Sequence, residues 1–309
     1  MSHPYAKELC PSASCRYRYS ICTLVTKWDE YCAMIDSFIG AGFAPEICEY
    51  LYVDNRTGNK ADGYQGFNGF LSSAQGQYII LCHQDIALYD RIEQLDRCIR
   101  ELDQADRTWA LLGNAGSTES GTNVMRITDP SGSHSADKLP ARVETLDENF
   151  ILARRSANLC VSHDLTGFHF YGADLCQVAR AVGCTAWVVN FSLYHGSSGS
   201  RDALFFQSRR QVLEKYRRTY RLGALQTPSA VLPVSSSTWV NQRAVFRALY
   251  DLRKRSRRQG TIGETEKRLM DAYALSASAY ALHWVYYKLT NPFSNLSRSI
   301  AKRWKKRNN

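Results

Sequence analysis

In the run Tyr78-Ile79-Ile80-Leu81-Cys82-His83-Gln84-Asp85, an apolar stretch stops abruptly on a polar triplet that ends in a carboxylate. Four apolar residues in a row, two of them β-branched, suit a strand covered on both faces. The carboxyl end of such a strand is where open α/β sheets bind ligands. An Asp there can hold a divalent metal against a phosphate-bearing substrate. Three other segments carry comparable chemistry. Asp54 closes a second apolar run, Asp174 stands in Tyr171-Gly172-Ala173-Asp174 at a predicted helix start, and His195 precedes Gly196-Ser197-Ser198-Gly199. Each also has a plainer reading. Asp54 can form a turn before Asn55-Arg56-Thr57-Gly58, Asp85 and Asp174 can cap helices, and His195 can be an ordinary loop histidine.

The elements that must position these residues alternate. Strands are predicted at Tyr19–Thr26, Ile47–Val53, Tyr78–Cys82 and Trp109–Leu112. Between them, helical spacing runs through Asp29–Phe43, Gln65–Ala74 and Tyr89–Ala105. This β-α-β-α-β order predicts an α/β domain with a mostly parallel sheet and helices on its faces. Gly113–Ala141, full of Gly, Ser, Thr and Asp, reads as a long loop. Val143–Arg154 reads as turn and strand, Phe168–Gly183 as a helix, and Thr185–Asn190 as a strand.

The 309 residues suffice for one large domain with an appendage. The net charge of +10 is unevenly placed. Residues 1–208 carry 17 Lys/Arg against 24 Asp/Glu, and 209–309 carry 22 against 5. An acidic body with a basic tail is unlike a uniformly basic nucleic-acid binder, so no nucleic-acid partner is expected. The ten cysteines are scattered, with no CxxC pair, and several fall in apolar patterns where Cys acts as a small hydrophobe. No apolar h-region opens the chain, and no apolar run reaches the roughly 18–20 residues of a membrane span. A reducing, cytoplasmic setting with free thiols is the expectation.

Taken together, several segments resemble the family-2-like glycosyltransferases of the GT-A fold. Within these they resemble the bacterial branch whose metal motif reads His-Gln-Asp in place of Asp-x-Asp. The resemblance rests on Val53-Asp54-Asn55, Tyr64–Asp85 (YQGFNGFLSSAQGQYIILCHQD), Val143–Asn149 (VETLDEN), Phe168–Cys176 (FHFYGADLC) and Tyr194–Gly199 (YHGSSG). It spans roughly residues 19–215 and leaves the tail outside. It implies an N-terminal extension at 1–18, a Rossmann-like GT-A domain at 19–222, and a basic helical region at 223–309.

The resemblance also implies roles. Asp54 would receive N–H groups of the nucleotide base. Asp85 would bind Mn²⁺ or Mg²⁺ against the donor diphosphate, and His195 would complete that metal or diphosphate site; imidazole suits Mn²⁺ better than Mg²⁺. His83, where the family has a carboxylate, would contact ribose or phosphate. Asp174 would be the general base of an inverting displacement, with Ala173 replacing the usual Glu before it. Asp147, Glu148, His169 and Tyr171 would line the acceptor or sugar pocket. The implied activity is transfer of a sugar from a nucleotide-sugar donor to a glycan or lipid-linked acceptor, in bacterial surface polysaccharide synthesis. The rival from another class is a non-catalytic GT-A-like nucleotide- or sugar-binding protein.

In the tail, Trp239–Arg258 and Glu264–Leu289 have helical spacing. On the second, Leu269, Tyr273, Ala277, Tyr280, Trp284 and Tyr287 recur together. With the terminal Lys302-Arg303-Trp304-Lys305-Lys306-Arg307, this composition suits an anionic membrane surface on the inner face of the cytoplasmic membrane. A packed helix pair, as at a homodimer interface, and a solvated charged end are the alternatives.

Overall fold

The computed structural model describes residues 15–197, 202–219, 224–227, 231–233, 237–256 and 276–290. The predicted N-terminal extension up to residue 14, the basic end at 302–307, and Leu269 and Tyr273 lie outside the described residues. The chain divides into two compact units, 1–212 with 226–230, and 213–225 with 231–309.

The first unit is built on a seven-stranded sheet of order β2-β1-β3-β11-β5-β12-β9. The strands are β1 (Tyr17–Val25), β2 (Cys48–Asp54), β3 (Gly76–Cys82), β5 (Trp109–Gly113), β9 (Ala141–Val143), β11 (Phe150–Arg154) and β12 (Thr185–Val188). β1 pairs parallel with β2 and β3, and β12 pairs parallel with β5. β11 runs antiparallel between β3 and β5, and β9 runs antiparallel at the edge. Five of the seven strands thus share one direction, and the predicted α/β class with a mostly parallel central sheet is the one observed. Ile79 to Cys82 are all buried, as their unbroken apolar run requires.

The helices follow their apolar spacing. α1 (Trp28–Gly40) buries Tyr31, Met34 and Phe38 and stops at Ala41-Gly42. α2 (Gly63–Ser73) is capped by the Asp62 carboxylate, which accepts the Gln65 N–H. α3 (Ile92–Ala105) buries Ile92, Leu95, Cys98, Ile99 and Leu102, the i, i+3, i+4, i+7 stripe that faces a core. α4 (Tyr171–Ala181) follows Phe170, whose φ of 68° is the left-handed turn into the helix. α5 spans Ala203–Thr219.

The segment read as a long loop, Gly113–Ala141, instead supplies three strands of a second sheet. Its order is β10-β6-β7-β13-β4, with β8 paired to β7. It comprises β4 (Ile86–Leu88), β6 (Ala115–Ser117), β7 (Asn123–Asp129), β8 (Gly132–Ser135), β10 (Thr145–Leu146) and β13 (Leu193–His195). These strands are short, and β8 is exposed throughout. Too few apolar alternations are needed for the sequence to betray them.

In the second unit, β14 (Ala224–Gln226) pairs with β15 (Val231–Pro233), and α6 (Thr238–Ser256) packs on α7 (Ala277–Thr290). Phe246 of α6 meets Tyr280 at 4.9 Å, and Trp239 meets His283 at 4.1 Å. Tyr280, His283 and Tyr287 thus face α6, while Trp284 of the predicted stripe is exposed. Among the described residues, no helix is long and apolar enough to cross a membrane.

Candidate active site

A cavity of about 750 Å³ opens at the carboxyl ends of β1 and β3. Its wall includes Thr26 and Lys27 after β1, His83, Gln84 and Asp85 after β3, and Asp147 and Glu148 after β10. Phe168, His169 and Tyr171 close another side, and Asp129, His134 and His195 come from the second sheet.

Strand pairing builds the metal-capable end of this cavity. The chain leaves β3 through the His-Gln-Asp triplet and enters β4, which pairs with β13 so that His195 stands opposite Ile86. Gly196 then donates its N–H to the Asp85 carbonyl at 2.8 Å. A Cβ at Gly196 would sit 3.1 Å from that carbonyl and 3.3 Å from Asp85 Cβ, so a bare backbone makes this approach easy. As a result His195 Nε2 lies 3.4 Å from Asp85 Oδ1 and 3.1 Å from His83 Nδ1. The three ligand atoms all fall within 4.8 Å of one another. Two imidazoles and one carboxylate form a donor set suited to Mn²⁺, and less to Mg²⁺.

Electrostatics keep this set ready. Burial, then the neighbouring His195, hold His83 below the usual histidine range, so its ring stays neutral. Burial alone would raise Asp85, but the hydrogen bond and charge of His195 outweigh it and bring the carboxyl to about 2. Burial opposes the charge on His195, yet Asp85 overcomes that and raises it. On its other nitrogen, His83 Nε2 is 3.0 Å from the Tyr171 hydroxyl. With Nδ1 turned to the cluster, Nε2 is the nitrogen that bonds the Tyr171 hydroxyl, and that contact fixes the ring.

Gln84, the middle of the triplet, serves the loop instead. Its Oε1 accepts the N–H groups of Thr26 and Lys27 at 2.8 and 3.0 Å. Its Nε2 donates to Thr26 Oγ1 and Glu30 Oε2 at 2.9 and 3.0 Å. The amide therefore ties the end of β3 to the β1–α1 turn that walls the cavity.

The other expected residues divide. Asp147, Glu148, His169 and Tyr171 line the cavity with the cluster. Asp147 Oδ1 accepts from Asn149 N and Nδ2, and Asn149 in turn accepts the His83 N–H through its carbonyl. Glu148 is half-buried, and burial followed by the charge of Asp147 pushes its carboxyl up to about 8. Asp54 ends β2, but Arg56 takes its oxygens through Nε and Nη2, both at 2.8 Å. It also accepts the Arg56 N–H at 3.1 Å, the turn-forming contact of its plainer reading, and it is absent from the cavity wall.

Asp174 is not brought to the cavity either. It is fully buried, and its two oxygens accept from Ser162 N and Ser162 Oγ, both at 2.7 Å. It anchors the segment 158–170 from beneath, as Asn68 does through Val161 and Asp62 through Gly167. That placement does not suit a base that must reach an acceptor hydroxyl. Gln84, Asp129 and His134 carry no role in the reading from sequence, and His83 is not grouped there with the metal ligands. No spacing signalled that grouping, because residues 84 and 85 lie in the turn between β3 and β4.

No family model matches the chain. It is 37% identical over 210 residues to ATP synthase subunits region ORF 6 of Fuscovulum blasticum, covering 65% of this chain and 84% of that protein. The chain belongs to the family of that protein. The name records a reading frame and no activity. Among solved structures, the mannosyltransferase PcManGT of Pyrobaculum calidifontis, in complex with GDP-Man and Mn²⁺, aligns at TM-score 0.46 and 13% identity, covering 96% of this chain and 87% of that one. GalNAc-T7 with UDP, GalNAc and Mn²⁺ aligns at 0.47 and 11%, covering 88% and 57%. TarS 1-349 of S. aureus aligns at 0.45 and 10%, covering 83% and 79%. Likenesses of this size add nothing to the sheet order described above.

Proposed function

We propose that this protein is a metal-dependent, inverting glycosyltransferase that uses a nucleotide-sugar donor. One observation carries the reading: His83, Asp85 and His195 converge at the carboxyl end of the central sheet, inside a cavity large enough for a nucleotide sugar. A divalent ion held there would neutralise the charge developing on the departing nucleoside diphosphate. Of the chain's own residues, Asp85, His195 and His83 hold the ion, and Tyr171 orients His83. Thr26 and Lys27, braced by Gln84, face the donor, with the Lys27 ammonium paired to Glu30 at 2.6 Å. Phe168, His169 and Asp147 face the transferred sugar or the acceptor hydroxyl.

The acceptor we propose is a glycan or lipid-linked saccharide of a bacterial surface polysaccharide. The excess of basic residues in 209–309 supports contact with an anionic membrane surface during that work. The burial of Asp174 favours one rival, a protein that binds nucleotide sugars without turning them over. Purified full-length protein incubated with UDP- and GDP-sugars, with Mn²⁺ and with EDTA, separates the two. Mn²⁺-dependent release of nucleoside diphosphate is expected. Tight binding of Mn²⁺ and nucleotide with no release from any donor would leave the binding protein as the better reading.

A further inference from the structure

An inverting transfer needs a group that takes the proton from the acceptor hydroxyl as that oxygen attacks the anomeric carbon. With Asp174 sealed beneath the 158–170 segment, the cavity wall must supply it. Its titratable candidates away from the metal-capable cluster include Asp147, Glu148, His169, Asp129 and His134. Asp129 and His134 face each other at 3.7 Å on the exposed β7–β8 hairpin. His169 has its ring set edge-on against Phe205. One oxygen of Asp147 is spent on Asn149.

Glu148 is held differently. Its carboxyl interacts with the backbone N–H groups of Phe170 and Gly172, at the point where the left-handed Phe170 turns the chain into α4. Those two N–H groups belong to the first turn, where no helical carbonyl can accept them. Gly172 packs against the same residue. A Cβ there would lie 2.7 Å from the Leu146 carbonyl and 3.5 Å from Glu148 Cγ. The missing side chain at 172 is thus what lets the start of α4 approach the Leu146 carbonyl, and Glu148 lies in direct contact with that helix start.

We infer that Glu148 is the general base of this site, a reading that rests on the proposed transferase activity. Its carboxylate accepts the proton of the acceptor hydroxyl while the hydroxyl oxygen forms the bond to the anomeric carbon. The bond from that carbon to the diphosphate breaks, and the electron pair leaves with the nucleoside diphosphate. The proton on Glu148 then passes to solvent. The groups facing it are Asp147 on its own segment, the N–H groups of Phe170 and Gly172, and Tyr171 and Cys176 of α4. Burial and Asp147 hold on to its proton against the two N–H groups, so its ionised fraction grows through the neutral range.

The test compares wild type with Glu148→Gln, Asp147→Asn and His169→Gln in the full chain. It uses Mn²⁺ and a panel of UDP- and GDP-sugars, with nucleotide release as readout and Mn²⁺ and UDP binding measured alongside. Glu148→Gln is expected to lower turnover by roughly 10²–10⁴-fold while leaving Mn²⁺ and UDP affinity and the donor KM unchanged. It should also remove the rise of turnover with pH seen in wild type. Wild-type release that Glu148→Gln retains, while Asp147→Asn or His169→Gln loses it, overturns the assignment and leaves the transferase standing. No release by wild type from any donor overturns both.

Discussion

The Tyr171 hydroxyl sits 3.0 Å from Nε2 of His83, and the opposite ring nitrogen, Nδ1, faces His195 at 3.1 Å. Tyr171 is thereby joined to the metal-capable cluster without being a member of it. Removing such a partner typically costs 10–100-fold in metal affinity. Tyr171→Phe keeps the ring that packs edge-on to Phe67 at 4.3 Å and loses only the oxygen. Mn²⁺ affinity by calorimetry or electron spin resonance should fall by about tenfold or more. Unchanged affinity would show that the packing of His83 alone fixes its ring.

Asp85→Asn and His195→Ala each remove a ligand, and both should abolish high-affinity Mn²⁺ binding. The same measurement has a stability counterpart. Saturating Mn²⁺ at about 100 times its dissociation constant should stabilise wild type by about 2.7 kcal/mol, and EDTA should reverse this. A thermal shift that persists in Asp85→Asn would locate the ion elsewhere.

Glu148 makes stability depend on pH with a definite sign. Its folded value of about 8 lies above its ordinary 4.5. The unfolded chain releases this proton from about pH 4.5, and the folded chain holds it until about 8. The contribution is therefore complete below 4.5 and is lost as pH rises through 8, at up to about 1.4 kcal/mol per pH unit between them. In metal-free buffer, Glu148→Gln should gain on wild type in urea midpoint from pH 5 to pH 8. A constant difference would mean that Glu148 is ionised at both.

The amide of Gln84 makes four hydrogen bonds to the β1–α1 turn and to Glu30. At about 0.5–1.5 kcal/mol net for each, and with some replaced by water, Gln84→Ala should cost about 2 kcal/mol. UDP affinity should fall as well, because Thr26 and Lys27 then lose their brace. Loss of stability with full UDP affinity would remove that turn from the donor site.

Asp174→Ala leaves the half-buried Ser162 N–H and hydroxyl without their acceptor. A cost of about 1–3 kcal/mol is expected, read from urea unfolding. Proteolysis within 158–170 should rise in parallel.

The framework up to β5 was legible because its apolar residues keep strict helical or strand spacing, as in α3 and β3. The second sheet was not. β8 is polar and solvent-facing, β7 buries only Val124 and Ile127 and so lacks a strict alternation, and β4, β6 and β13 have three residues each, too few for a period to show. The same strands bring His195 to Asp85; the resemblance already groups these two, but no spacing along the chain shows it or adds His83 to them. Asp174 shows another limit. A carboxylate at a helix start looks the same whether it faces a cavity or a loop, and Ser162, which decides it, lies in a segment with no pattern.

The pairing of β4 with β13 has a consequence for how the protein comes into being. His83 and His195 are 112 positions apart, and among the described residues β4 pairs with β13 alone. A nascent chain leaving the ribosome would expose the His-Gln-Asp triplet long before its second histidine is made. Any ion held by this cluster would have to wait for nearly all of the first unit, so its uptake would report completed folding rather than nucleate it.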